Sequence, residues 1–368
     1  MSTNGGTQSV LHRLPNEVLS EFIAWSRPQE QTALSRVSKL FHKLTARFLY
    51  RTLKISVPHK VKRCLSTLAK NPGLLLFVKT IDLTRCPKKP GDTFDIFELI
   101  ARMQNLEMLL FGSRDAPPHM TSPLAGRTFL FPHLYCLHIG LKSREGPPIV
   151  EFIQAHPKLS VLKLSGHAPR ALTDSADIAL PALRHLQAHA PAIPPLVRLN
   201  RLAAAAVVWR DSAEPLAPPL DALREGSHAS LVRLSCKRPS TNVDLIELVA
   251  CFPLLENLKV TDRHGQGFSY DDGYFLKRND VRRIAAALAR LKNLRTFVFT
   301  YAHRPNQTYD GALLTALVEA CPTLTQFTLN TVKWERPYAG AEWTPVMDVG
   351  GNGGRRKASR YMQSVSPA

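Results

Sequence analysis

With 368 residues and 44% apolar side chains, the chain can build a sizeable core and does not read as a disordered polymer. Its 48 Lys and Arg against 29 Asp and Glu leave a net charge of +19, a balance that favours acidic partners such as nucleic acid or a phosphorylated protein. No apolar run approaches the ~18 residues of a membrane span, the N-terminus lacks a secretory pattern, and six scattered cysteines form no CxxC pair. The expectation is a reduced cytoplasmic or nuclear protein with no membrane contact.

Residues 1–10 are a polar, Gly-containing tail. Residues 11–53 are dense in helix formers and divide into three amphipathic segments. The first, "LPNEVLSEFI", places Leu14, Val18 and Phe22 four apart, joined by Leu19 and Ile23 in one wide apolar stripe. Pro15 suits a first helical turn, and Glu17 complements the positive helix end. "EQTALSRVS" follows with Leu34 and Val37, then "KLFHKLTARFLYRTL" with Phe41, Leu44, Phe48 and Leu49. Three short helices expose more apolar surface than they can cover themselves, because small domains bury a low fraction of their surface. A covering partner is therefore expected.

From about residue 71 a second texture begins. One pattern recurs through "LLFVKTIDL", "MQNLEMLLF", "FPHLYCLHI", "HPKLSVLKL", "LPALRHLQA", "HASLVRLSC", "FPLLENLKV", "LKNLRTFVF" and "CPTLTQFTL". The first anchors are Val78, Leu106, Leu134, Leu159, Leu183, Leu231, Leu255, Leu294 and Leu324. Their spacing is 28, 28, 25, 24, 48, 24, 39 and 30 residues, the longest interval hiding a degenerate unit near "LVRLNRLAAA". A repeat of roughly 20–30 residues built on L-x-x-L-x-L is the leucine-rich-repeat signature. One unit cannot bury its apolar face alone, so units stack. Helical patterns separate several strands: "TFDIFELIARM", "IVEFIQAH", "NVDLIELVACF", "NDVRRIAAALARL" and "GALLTALVEAC". Asn242 and Asn279 read as helix caps.

The expected fold class is α/β: a short three-helix unit at 11–53, then a curved leucine-rich-repeat-like solenoid over 54–345. A hairpin around "RPYAG", with Trp334 and Trp343 on its arms, would cap the last repeat. The basic tail 346–368 contains "RRKAS", which places Arg356 three residues before Ser359 in the manner of a basophilic-kinase site; solubilising charge is the plainer reading.

No residue set supports catalysis, a metal or another cofactor: there is no phosphate loop, GxGxxG, HExxH or GxSxG. His185 and His189 share an H-x3-H spacing, but a strand and its following turn do not converge on one ion. A binding role is expected instead. Loops after repeat strands project from one edge, and here they carry Lys142, Arg144, Lys237, Arg238, Arg263, His264, His303 and Arg304. Converging there, these cations would hold an acidic or phosphorylated target through charge-assisted bonds.

The N-terminal pattern resembles the F-box. "LPNEVLSEFI" matches that motif's Leu-Pro-x-Glu opening, "LSRVSKLFHKL" its second half, and "LYRTL" the exit common in fungal members. F-box followed by leucine-rich repeats is a known family arrangement. The resemblance implies a substrate-recognition adaptor of a cullin–RING ubiquitin ligase, binding a Skp-type adaptor and, through it, a cullin. Carried over by position, Leu14, Pro15, Val18, Leu19, Ile23, Leu34, Val37, Ser38 and Phe41 would contact the Skp-type adaptor. The alternative is a basic solenoid that binds nucleic acid or phosphate and has no ligase role.

Overall fold

A computed structural model describes residues 14–54, 58–84, 94–111, 130–141, 148–239, 243–262, 278–300, 315–317, 319–329, 332–338 and 341–346. The chain forms two compact units, Met1–Gly140 and Leu141–Ala368. The N-terminal helices thus belong to one unit with the first strands. No described helix is long and apolar enough to cross a membrane.

The first unit opens with α1 (Asn16–Trp25), α2 (Pro28–Leu34) and α3 (Lys39–Leu49). The helix starts are written in the sequence. Pro15 is the capping residue just ahead of α1, its carbonyl accepting from Leu19 N at 3.1 Å. Pro28 opens α2, where its missing N–H costs nothing, and Glu30 accepts from Arg27 N at 2.7 Å. Ser38 caps α3 by accepting from Phe41 N at 3.2 Å. Leu19, Ile23 and Phe41 form the buried centre of the three helices, with Leu34, Leu40, Leu44 and Phe48 packed around them. Gln31, itself buried, donates its amide to the carbonyls of Ile23 (2.9 Å) and Ser26 (3.0 Å), tying α2 to the end of α1. Four strands follow: β1 (Thr52–Lys54), β2 (Thr80–Asp82), β3 (Met108–Leu110) and β4 (Cys136–Leu141). Each pairs in parallel with the next, with α4 (Pro58–Lys70) and α5 (Phe94–Ala101) among the crossovers.

In the second unit, seven parallel strands are laid down in chain order. They are β5 (Val161–Gly166), β6 (His185–His189), β7 (Ala204–Val208), β8 (Arg233–Arg238), β9 (Asn257–Asp262), β10 (Thr296–Thr300) and β11 (Gln326–Leu329). The helical connections include α6 (Pro148–Gln154), α7 (Arg170–Thr173), α8 (Ile193–Val197), α9 (Ala217–Ser227), α10 (Val243–Val249) and α11 (Arg278–Leu288). This is a repeating α/β arrangement of the solenoid kind. Asn279 falls inside the first turn of α11 rather than ahead of it; Asn242 lies outside the described residues.

The repeat frame of the sequence is the frame of the core. All nine first anchors, Val78 to Leu324, are completely buried. The later positions of each unit are also inside, for example Leu162 and Leu164 on β5 and Phe297 and Phe299 on β10. The degenerate unit is resolved at Leu202, which is buried and followed by Ala205 and Val207 on β7. Its short side chains are offset by polar ties. Buried Asn200 accepts from Leu180 N at 2.7 Å and donates to the carbonyls of Ile178 and Leu196 at 2.8 and 2.7 Å. At Gly166, φ is +99° and an added Cβ would stand 2.0 Å from the Leu141 carbonyl oxygen, so no other residue fits without moving the backbone.

The end of the sheet reverses direction. β12 (Val332–Glu335) pairs antiparallel with β11, and β13 (Thr344–Val346) antiparallel with β12. Trp334 is buried and stacks on Phe327, ring centroids 5.6 Å apart, while the Arg336 guanidinium lies 4.8 Å over the Trp343 ring.

Buried His156 follows α6, its Nδ1 2.6 Å from the Phe152 carbonyl, to which it donates. Burial pushes its pKa below the ordinary imidazole value, and the carbonyl bond offsets part of that. His167, His185 and His189 are shifted the same way, each chiefly by burial. The unfolded chain takes up protons near pH ~6.5, the folded chain only at lower pH, so stability is full above that value and is lost as pH falls. The melting midpoint should therefore drop between about pH 6.5 and 5, and His156→Gln should flatten that dependence.

Candidate functional site

The nine residues expected to face an adaptor are divided by the structure into two sets. Leu19, Ile23 and Phe41 turn inward and make the helical core, and Leu34 packs against them half-buried. They hold the helices together and are not available to a partner. Ser38 is committed to capping α3. The outward set is Leu14, Pro15, Val18 and Val37, joined by Phe22, which the sequence places in the apolar stripe but outside the carried-over contact set, and by Trp25. The exposures are 40% for Leu14, 47% for Val18, 61% for Phe22, 89% for Trp25 and 63% for Val37.

Helical geometry explains the division. Val18, Phe22 and Trp25 fall at i, i+4 and i+7, within roughly 60° of arc on the helix surface. Leu19 and Ile23 form the adjoining stripe, which α2 and α3 cover. The apolar arc read from the sequence is in fact two arcs side by side, one consumed by the core and one left open. Glu17 and Glu21 are exposed and charged beside the open stripe. Large apolar residues contiguous at a surface, with a charged border, mark interaction sites more often than accident.

The expected target-binding cations fare differently. Lys142, Arg144, Arg263, His264, His303 and Arg304 lie outside the described residues. Lys237 is exposed on β8. Arg238 is turned inward and only 7% exposed, which removes it from any outward rim. One Nη donates to the Ser212 carbonyl, while Nε and the other Nη have no partner among the described residues. Burial lowers its pKa, with the carboxylates of Glu214, Asp211 and Asp244 partly offsetting that. Nearby, His189 Nε2 and Glu214 Oε1 are 3.0 Å apart, and His185 Nε2 accepts from Arg233 at 2.9 Å. Both histidines stand on β6 and are engaged by separate neighbours.

The thiols have a simple physical account. Cys236 and Cys321 are buried thiols packed as small apolar groups, and Cys136 is buried as well. Burial pushes the Cys321 thiol up to about 11, so it stays protonated and unreactive near neutral pH.

No protein-family model and no curated protein matches the chain. Among solved structures, a crystal structure of a TLR13–ssRNA13 complex matches with 12% identity and a TM-score of 0.31. The match covers 76% of this chain and 30% of the other, so this chain spans less than a third of that protein's length. The likeness carries no argument about binding, and the repeat architecture stands on the strand order and buried anchors described above.

Proposed function

We propose that this protein is a substrate-recognition adaptor of a cullin–RING ubiquitin ligase, with α1–α3 as an F-box that binds a Skp-type adaptor and the repeats as the target-binding part. One observation carries the reading: the open stripe of Val18, Phe22 and Trp25 on a helix whose adjoining stripe is already committed to a core. Three such side chains offer on the order of 6 kcal/mol of gross apolar burial to a partner. The matching opening "LPNEV" on that same helix indicates which partner. In this reading the protein performs no chemistry of its own. It brings a target to the ligase.

The net charge of +19 favours the competing reading of a phosphate- or nucleic-acid-binding solenoid. Ionic strength separates the two. Co-expression with a Skp-type adaptor should give one gel-filtration peak containing both chains, and the complex should persist in about 0.5 M salt because its contact is apolar. Binding driven by phosphate contacts falls steeply over the same range. Separate elution of the two chains at low salt would overturn the proposal.

A further inference from the structure

The outward face of the second unit's sheet is not uniform. Along one transverse row, the register aligns Lys163, Gln187, Ala206, Ser235 and Lys259 on β5 through β9. The row beside it runs Val161, His185, Ala204, Arg233 and Asn257. Two alanines on β7 therefore sit at the middle of both rows. Their missing bulk leaves a hollow of about 310 Å³ floored by Ala204, Ala205 and Ala206. Arg233 reaches across Ala204 from β8 to His185 on β6, closing one side.

The charges around this hollow have one sign. Lys163, Arg233 and Lys259 are exposed, and among the described residues none of the three is ion-paired with a carboxylate. Other described cations, Lys158, Arg201, Lys237 and Lys292 among them, are exposed without a carboxylate partner too, and what distinguishes Lys163, Arg233 and Lys259 is that the strand register sets them around one hollow with no acidic side chain in its lining. Cations held on a rigid sheet without counter-charges form a preorganised anion site, because no ion pair must be broken before binding.

We infer that this hollow binds an extended acidic peptide segment, laid across the strands with one anionic group at Lys163, another at Lys259 and its middle over the β7 alanines. The inference rests on the adaptor reading for its biological sense, since it names the chemistry by which a target would be held. Lys163 and Lys259 are four strand spacings apart, roughly 19 Å, the length of about six residues of extended chain. Gln187, Ser235 and Asn257 supply hydrogen-bonding groups along the path for a peptide backbone. A nucleic acid fits less well: the two rows present no Phe, Tyr or Trp on which a base could stack.

The test uses the full chain and a degenerate peptide array with two fixed acidic positions at varied separation, printed in Asp/Glu and phosphoserine forms to separate carboxylate from phosphate. Selected peptides are then titrated by fluorescence anisotropy, beside a single-stranded oligonucleotide of equal charge. Enrichment of acidic pairs about five to seven residues apart is expected. Lys163→Glu with Lys259→Glu should weaken the selected peptides at least about tenfold, the worth of one charge-assisted bond. Ala206→Leu, which fills the hollow without changing charge, should weaken them severalfold. Both changes are at outward positions, so circular dichroism melts should match the parent chain. Equal binding of neutral peptides, or peptide binding indifferent to these variants, would overturn the inference. So would oligonucleotide binding as tight as the peptide's and untouched by Ala206→Leu, which would mark a general polyanion surface. Val18→Asp should leave peptide binding unchanged, so loss of the Skp-type complex and loss of the peptide site are separately readable.

Discussion

A chain carrying Val18→Asp and Phe22→Ala is expected to lose its complex with a Skp-type adaptor while melting at the parent temperature. Both side chains point away from the helical core, so their removal leaves no internal cavity. In the complex they would be covered, and the introduced carboxylate would be buried without a partner. Truncated anchors at interface centres cost at least about 2 kcal/mol each, so the pair should cost about 4–5 kcal/mol, roughly three orders of magnitude or more in affinity. Leu19→Ala is the informative contrast. It sits on the buried side of the same helix and should lower helix stability by about 2–5 kcal/mol through the cavity it leaves. Calorimetric titration with the Skp-type adaptor, run beside thermal melts, reads both effects. A double variant that still binds at parental affinity would show that the open stripe is not the contact.

The second large effect is expected inside the repeats. Phe297 is fully buried, its ring 5.8 Å from Phe299 and 5.8 Å from Phe327, which in turn stacks on Trp334. This aromatic column links β10 to the antiparallel strands that end the sheet. Phe297→Ala should cost about 3–5 kcal/mol, since neighbouring rings cannot collapse into the space without breaking their own stacking. For a unit of this size that lowers the melting midpoint by roughly 10 °C. Val298→Ala, one residue along on the outward face, should shift it little. Differential scanning calorimetry of the two variants decides the matter; equal midpoints would mean that the column does not hold the end of the sheet.

The repeat anchors were legible because L-x-x-L-x-L couples a turn residue to two inward strand positions, a spacing that only stacking satisfies. Leu202 was harder, since its strand is built from Ala204, Ala205, Ala206 and Val207, which carry almost no hydrophobic contrast between faces. Ala204 and Ala206 of that strand open the hollow on the outward face, so one weak stretch of pattern hid both a core position and a candidate site.

Arg238 was misread as a rim residue because its chemistry outweighed its parity. It lies two residues beyond Cys236 and four beyond Leu234, all on the inward face, and strand alternation alone places it inside. On α1 the difficulty was the reverse. Leu14, Val18, Leu19, Phe22 and Ile23 make an arc too wide for one contact, and the sequence does not say which edge α2 and α3 will cover. Trp25 was the available signal, since it extends Val18 and Phe22 at i+7 and leaves Leu19 and Ile23 as the other stripe.

Hydrogen exchange of the full chain, alone and mixed with a Skp-type adaptor, shows whether the open face of α1 is the surface that a partner covers. New protection is expected over residues 14–25 and around Val37, with the repeat strands unchanged. Absence of any complex, or protection that falls on β5 to β10 while α1 exchanges as before, would contradict that expectation.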